Sequence, residues 1–460
     1  MLQAAVAQRV INPPPGVELT GWGYYLERTW NDIRDDLQAT ALAVSNADRT
    51  IVLISLDLMV IDRAFTDRVR AGICSQYRNT AGAGPRSLEA DDIMVCCTHT
   101  HNAPAAGGLL GVGACDPDYE GFAADRAVEA ALEALGNVRA VRVRCASGHI
   151  DGLTFNRTRE GGVVDNSITS LLLEEEDGRP VAVVVNHAAH PTITTECFPF
   201  SVSRDLPGMV CRQLEQHFAG TTALYLQGAC GDTNFHPKFK DPNLHHEPVD
   251  RIANFVQQQL KAAEVGEDNT VRSFSTTAQL PTRRWTLDEI QSDRTEAERR
   301  LRQNDFADWE DTIGRSMTNR PADMVARHGN NVEKAVRAMC RFQIEWTDLM
   351  LQDYQQRPEF LNTEVQALRV GPLTIVSNGS EFFAPFARQL RAAIADRHLM
   401  IACYANERIG YLPDAHDIAA GSYAAWQSPK YCNQFPFTDQ SGDVMTEAMR
   451  QAAHAVLQCR

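Results

Sequence analysis

Two apolar runs that end in histidines constrain this chain more than any other feature. Asp92-Ile93-Met94-Val95-Cys96-Cys97 leads into Thr98-His99-Thr100-His101-Asn102-Ala103-Pro104, and Pro180-Val181-Ala182-Val183-Val184-Val185 leads into Asn186-His187-Ala188-Ala189-His190-Pro191. Short apolar runs of this kind read as buried strands. Side chains two apart on an extended backbone share a face, so the spacing predicts that His99 and His101 point the same way. One could hold a metal while the other touches water or substrate. Two strand ends that each deliver histidine predict a metal site at the edge of a sheet.

The rest of the chain alternates in the manner of an α/β protein: a mixed sheet core flanked by helices. A Pro/Gly-rich opening segment, Val10 to Tyr25, precedes strand-like runs at Leu37 to Val44 and Thr50 to Ile61. Helical spacing follows at Ala64 to Tyr77 and Ala123 to Leu135, then a strand at Ala140 to Arg144. Strands are expected at Ile168 to Leu173, Val181 to Asn186 and Thr222 to Gln227, with a helix at Pro207 to His217. The stretch from Trp285 to Arg357 is charged, with apolar residues at helical spacing (Met339, Phe342, Trp346, Leu349, Met350). It reads as two or three long helices inserted between strands, forming a lid, a dimer surface or a hairpin packed on the sheet. Strand signals return at Glu364 to Val376 and Met400 to Cys403, with a helix near Phe382 to Asp396. A loop-rich segment, Ala405 to Gly442, precedes a closing helix from Val444 to Cys459. No repeat or linker divides the chain, so one domain over 1–460 with a helical insertion at about 285–357 is expected.

Composition narrows the partners. With 460 residues, the chain can bury one large core or two moderate ones. No stretch reaches the roughly 18 consecutive apolar residues of a membrane span, and the N-terminus lacks the basic flank of a signal peptide. Twelve cysteines without CxxC spacing suggest reduced thiols and a cytoplasmic location. A net charge of −15 argues against nucleic acid or an anionic membrane as partner. A small-molecule substrate is expected, with a homo-oligomer left open.

Zinc favours His nitrogen with a carboxylate, and a catalytic site keeps one position open. His99, His101, His187 and His190 offer the nitrogens. Glu381, in Ser377-Asn378-Gly379-Ser380-Glu381-Phe382, offers a carboxylate at an expected helix start, where Glu also stabilises the helix.

The order of short motifs resembles the zinc-bearing catalytic domain of the neutral/alkaline, non-lysosomal ceramidase family. The matching elements are Gly21-Trp22-Gly23-Tyr24, Ser55-Leu56-Asp57-Leu58, Thr98-His99-Thr100-His101, Asn156-Arg157, Asn186 to His190, Ser203-Arg204-Asp205, Gln227 to Asp232, Gly379-Ser380-Glu381, and Tyr411 with Tyr423. The resemblance implies a zinc-dependent hydrolase in which activated water cleaves a C–N amide. It implies zinc ligation by His99, His190, Glu381 and Tyr411. His101 would shuttle a proton, while Arg157 and Tyr423 would point at the substrate carbonyl. Asp205 and Asp232 would orient ligands or close turns, and His187 would be structural. Asn234 stands where that family has a serine, which disfavours a serine nucleophile. The family's C-terminal β-sandwich has no counterpart here, and no export signal is visible, so a soluble N-acyl compound is a better expectation than a bilayer lipid. The loop Ala105 to Gly113 could line a small apolar pocket. An ester, lactone or carbohydrate substrate, or a non-catalytic binding protein, are the alternatives.

Overall fold

A computed structural model describes residues 1–80, 88–317 and 320–458. Eight strands form the larger sheet, in the order Thr222–Gln227, Pro180–His187, Ser167–Glu174, Arg139–His149, Leu2–Val10, Gln38–Ser45, Thr50–Leu56 and Ile93–Cys97. Its two outermost strand pairs are parallel and the inner pairs antiparallel. A second sheet, in the order Val271–Pro281, Phe360–Val370, Leu373–Ser377 and Leu399–Ala402, packs against it.

Strands such as Thr50–Leu56, Ile93–Cys97 and Pro180–His187 read as continuous apolar runs because both faces are covered. Along Gln38–Ser45, Ala39, Ala41 and Ala43 pack under helices Arg63–Thr80 and Pro117–Gly136, while Leu42 and Val44 pack between the sheets. Helix Pro117–Gly136 starts where the Asp116 carboxylate accepts from the Asp118 and Tyr119 amides, with Pro117 preset for the first turn. A third cluster joins Val183 and Val185 to helices Asp205–His217 and His246–Ala262. Helix Ser441–Leu457 covers the smaller sheet. The expected mixed α/β architecture is what the chain forms.

Between strands Val271–Pro281 and Phe360–Val370 lie two long helices, Leu287–Gln303 and Val332–Gln352. Thr286 and Glu289 form a reciprocal capping box at the first, and Asn331 accepts from the Lys334 amide at the second. Met339, Phe342, Trp346 and Met350 are buried in the main core, as their spacing predicts. A π-helical turn, Glu310–Gly314, and a short helix, Pro321–Arg327, connect the two.

Several boundaries differ from expectation. Leu2–Val10 is a strand near the middle of the large sheet, paired with Gln38–Ser45 and Arg139–His149, although nothing before Val10 reads as an element. The run Glu364 to Val376 is two antiparallel strands, reversed at Gly371 (φ +51°). Glu381 does not start a helix: Glu381–Phe382 is a two-residue strand paired with Tyr411–Leu412, and the helix begins at Ala384. The closing helix spans Ser441–Leu457, and the expected end at Cys459 lies outside the described residues. The carboxyl ends of Ile93–Cys97, Pro180–His187, Thr222–Gln227 and Leu373–Ser377 lie together, the usual place for a site in such sheets.

Candidate metal centre and its cavity

His99 and His101 do not sit on an extended strand. The strand ends at Cys97, and His99 turns through a left-handed conformation (φ +65°). The turn is held by Thr98 and His99 amides donating to the Leu56 and Leu58 carbonyls, at 2.8 and 2.9 Å. It brings the two Nε2 atoms to 3.2 Å from each other. His190, from the loop after Pro180–His187, places its Nε2 3.1 Å from that of His99. The buried rings of His99 and His190 lie beneath His101, which alone of the three lines the adjoining cavity.

Each Nδ1 faces a backbone carbonyl: Met59 for His99 at 2.9 Å, Gly21 for His101 at 3.0 Å and Cys230 for His190 at 2.8 Å. A carbonyl can only accept, so Nδ1 carries the hydrogen and the neutral ring turns a bare Nε2 to the centre. Burial, ahead of the neighbouring charges, holds His101 and His190 well below the usual imidazole range. The three Nε2 atoms thus converge on one point. Glu381 adds Oε2 at 3.5 Å from both His99 Nε2 and His190 Nε2, and this buried oxygen has no hydrogen-bond partner among the described residues. A cation resolves all of this at once. The triangle His99–His190–Glu381 has edges of 3.1, 3.5 and 3.5 Å. Tetrahedral ligands at roughly 2.0–2.1 Å from zinc stand about 3.3 Å apart. The donor set therefore fits such an ion, and His99, His101 and His190 form a group able to hold a metal.

Tyr411 pairs with Glu381 across the short strands, and its hydroxyl accepts from Arg157 Nη2 at 2.7 Å. Burial raises the phenol far above its ordinary pKa, while Arg157 opposes that shift. Arg157 is anchored through Nε and Nη2 to the Gly231 carbonyl at 3.1 and 2.8 Å. Burial works against its charge, but Tyr411 and Glu381 outweigh it and hold the guanidinium protonated. Gly231 must lack a side chain, because a Cβ there would lie 2.4 Å from the Glu381 carbonyl oxygen. Gly21 is constrained likewise, with φ +114° and a Cβ position 2.7 Å from that of His101. Tyr423 lines the cavity 5.9 Å, ring to ring, from Tyr411, and burial keeps its hydroxyl protonated.

Two acids serve the backbone. Asp232 accepts from the Ala384 amide at 2.9 Å and from Asn156 Nδ2 at 2.8 Å, tying the helix after Glu381 to the turn that carries Arg157. Burial raises its pKa to about 6. Asp205 accepts from the Ile193, Thr194 and Leu206 amides, closing the turn after His190. His187 stands apart from the cluster, stacked on Phe235 with neither ring nitrogen partnered among the described residues. Asn234 lines the cavity. Ala105 to Gly113 does not: Ala106 and Val112 enter the main core instead, because the loop folds inward beneath them.

Three residues support the site: Gln227 and Asp57 lie within matching motifs but carry no assigned role, and Tyr404 lies outside them. Gln227 Nε2 donates to the carbonyls of Thr98 and Ala189, at 3.3 and 3.0 Å, joining the two histidine loops. Tyr404 stacks on His99 with ring centroids 3.9 Å apart. Asp57 accepts from Thr98 Oγ1 at 3.2 Å and from Arg204 Nε at 2.6 Å. All three stand at strand ends, which was the one available signal; their partners are distant in sequence.

No family model and no curated protein matches the chain by sequence. The solved structures similar to it in fold include two ceramidase structures. One is neutral ceramidase from Pseudomonas aeruginosa, with a TM-score of 0.69 and 16% identity over 99% of this chain and 74% of that one. The other is a ceramidase complexed with C2, also at TM-score 0.69 and 16% identity, over 99% of this chain and 75% of that one. The fold is thus neutral ceramidase-like.

Proposed function

We propose that this neutral ceramidase-like chain is a zinc-dependent hydrolase that cleaves the C–N amide bond of a small N-acyl compound. The observation that carries the reading is the set of bare Nε2 atoms and the orphaned Glu381 oxygen at the floor of a cavity that also holds Arg157 and Tyr423. His99, His190 and Glu381 would hold the ion, with Tyr411 as the remaining ligand. When bound, zinc supplies a Lewis acid and makes water nucleophilic near neutral pH.

The chain's own groups do the rest. Attack of water on the carbonyl carbon places negative charge on the carbonyl oxygen. Arg157 and the Tyr423 hydroxyl donate to that oxygen, and such donors gain most in a site shielded from bulk water. His101, which lines the cavity beside the histidine centre, takes the proton released by water and passes it to the leaving nitrogen as the C–N bond breaks. The products are a carboxylate and an amine. Burial disfavours the imidazolium form of His101, so the proton is held only briefly. Asn234 offers no hydroxyl nucleophile, consistent with water as the attacking group.

A panel of N-acyl amides and matched esters, assayed with zinc-loaded and chelated protein, tests the reading. Amide turnover that vanishes on chelation and returns with zinc is expected. Turnover of esters alone would replace amide by ester chemistry, and a zinc-loaded protein inert on the whole panel would leave a binding protein.

A further inference from the structure

We propose that the substrate carries an oxyanion, a carboxylate or phosphate, at the end remote from the scissile bond, and that this group docks on a basic wall of the cavity. The proposal rests on the amidase reading only for the identity of the bond cleaved. The cavity has a volume of about 310 Å³, at the small end of ordinary ligand sites. Beyond Arg157 at its floor, its lining includes Lys240, Arg315, Arg320 and Arg327, against the two acids Glu196 and Asp417. Glu196 is already engaged by Arg327 at 3.0 Å, and Asp417 accepts from Thr158 at 3.3 Å. In a chain of net charge −15 this local excess of cations runs against composition. Cavity walls of one sign concentrate ligands of the other.

Donors without partners lie on the same walls. The buried indole nitrogen of Trp22, the Nε of Arg327 and the Nε2 of buried Gln427 are donors with no hydrogen-bond partner among the described residues; the Oε1 of Gln427, an acceptor, has none either. Trp22, Arg327 and Gln427 all line the cavity. Buried polar atoms are nearly always paired, so these donors point to a ligand rich in acceptors. The guanidinium carbons of Arg28 and Arg327 stand 4.3 and 5.2 Å from the Trp22 ring centroid. Two like charges around one indole favour an incoming anion. Arg315, Arg320 and Arg327 belong to the segment joining the two long helices, so that segment would select the substrate while the sheet ends cut it.

Calorimetric titration of the zinc-loaded protein with glutarate, propyl phosphate and uncharged 1,5-pentanediol tests this without turnover. At least one oxyanion should bind roughly tenfold or more tighter than the diol, the range of a charge-assisted contact. The pair Arg315→Ser with Arg320→Ser, or Lys240→Ser should the pair not fold, should erase most of that preference while zinc content stays unchanged. The tighter of the two anions identifies the group. Equal affinity for anion and diol, or an anion preference untouched by the wall variants, would overturn the proposal. The amide panel keeps the two readings apart. Anion binding without amide cleavage would end only the amidase reading, and cleavage of charged and neutral amides alike, without anion binding, would end only this one.

Discussion

His99, His101 and His190 hang from loops that leave a sheet, and each ring is pinned by a backbone carbonyl. Arg315 and Arg320 come from short connecting elements and face solvent. The floor of the cavity is thus fixed by buried backbone, whereas the wall is carried by short elements anchored in the core through Ile313, Met317 and Met324, with Arg315 and Arg320 themselves exposed. The difference teaches where each property can change. Chemistry is tied to the sheet ends and would be costly to alter, while charge preference rests on residues that the core does not need.

Four variants would break or sharpen that contrast. The largest effect is expected at the floor: Arg157→Ala should lower kcat by about 10²–10³ with zinc retained, as for loss of one oxyanion donor. Steady-state kinetics beside metal analysis would check it, and an unchanged kcat would remove Arg157 from the chemistry.

Next is the joint between floor and wall. Lys430 is buried, 3.2 Å from Asp293, with Trp346, Trp426 and Trp285 around it at 5.0, 5.8 and 5.9 Å. It ties the loop that carries Tyr423 and Tyr431 to the long helices. Lys430→Ala should cost about 3 kcal/mol, the low end for breaking a buried pair, read as a lower urea midpoint.

A comparable but pH-dependent effect belongs to His187. Burial lowers its pKa from 6.5 to about 4, opposed by Asp165. The unfolded chain therefore takes up a proton before the folded one does. The stability that His187 contributes is lost as pH falls from 6.5 to about 4, and this group adds no further loss below that. The window is worth about 3 kcal/mol at most. Urea titrations across it should show His187→Phe with a flatter profile than wild type; identical slopes would contradict the assignment.

The smallest change is expected at the wall. Arg315→Ser with Arg320→Ser should alter unfolding free energy by no more than about 0.5 kcal/mol and leave zinc content as it was. A large loss of stability would show that the wall is structural after all.

How much of this was legible in the sequence follows the same division. Apolar runs stopping at His99 and His190 reveal both the strands and the site, because burial on two faces leaves an uninterrupted pattern and the polar break is abrupt. Leu2–Val10 stayed hidden because Ala4, Ala5 and Ala7 are weak strand formers, and its place in the sheet comes from neighbours far along the chain. The left-handed turn at His99 and the parallel pairing of Glu381 with Tyr411 have no local signature either. Gln227 and Tyr404 act through partners more than 30 residues away. The basic wall was not read at all, since its arginines are scattered through a charged stretch that resembles any solvated helix surface.

Metal analysis of purified protein, wild type against His190→Ala, after chelation and reloading with zinc, addresses the centre of this account. Wild type should bind one zinc per chain. The variant should lose more affinity than the roughly 10- to 100-fold that removing an outer hydrogen-bond partner costs. A folded wild type that takes up no divalent metal, or a variant that binds it as tightly, would contradict the reading of His99, His190 and Glu381 as a metal site.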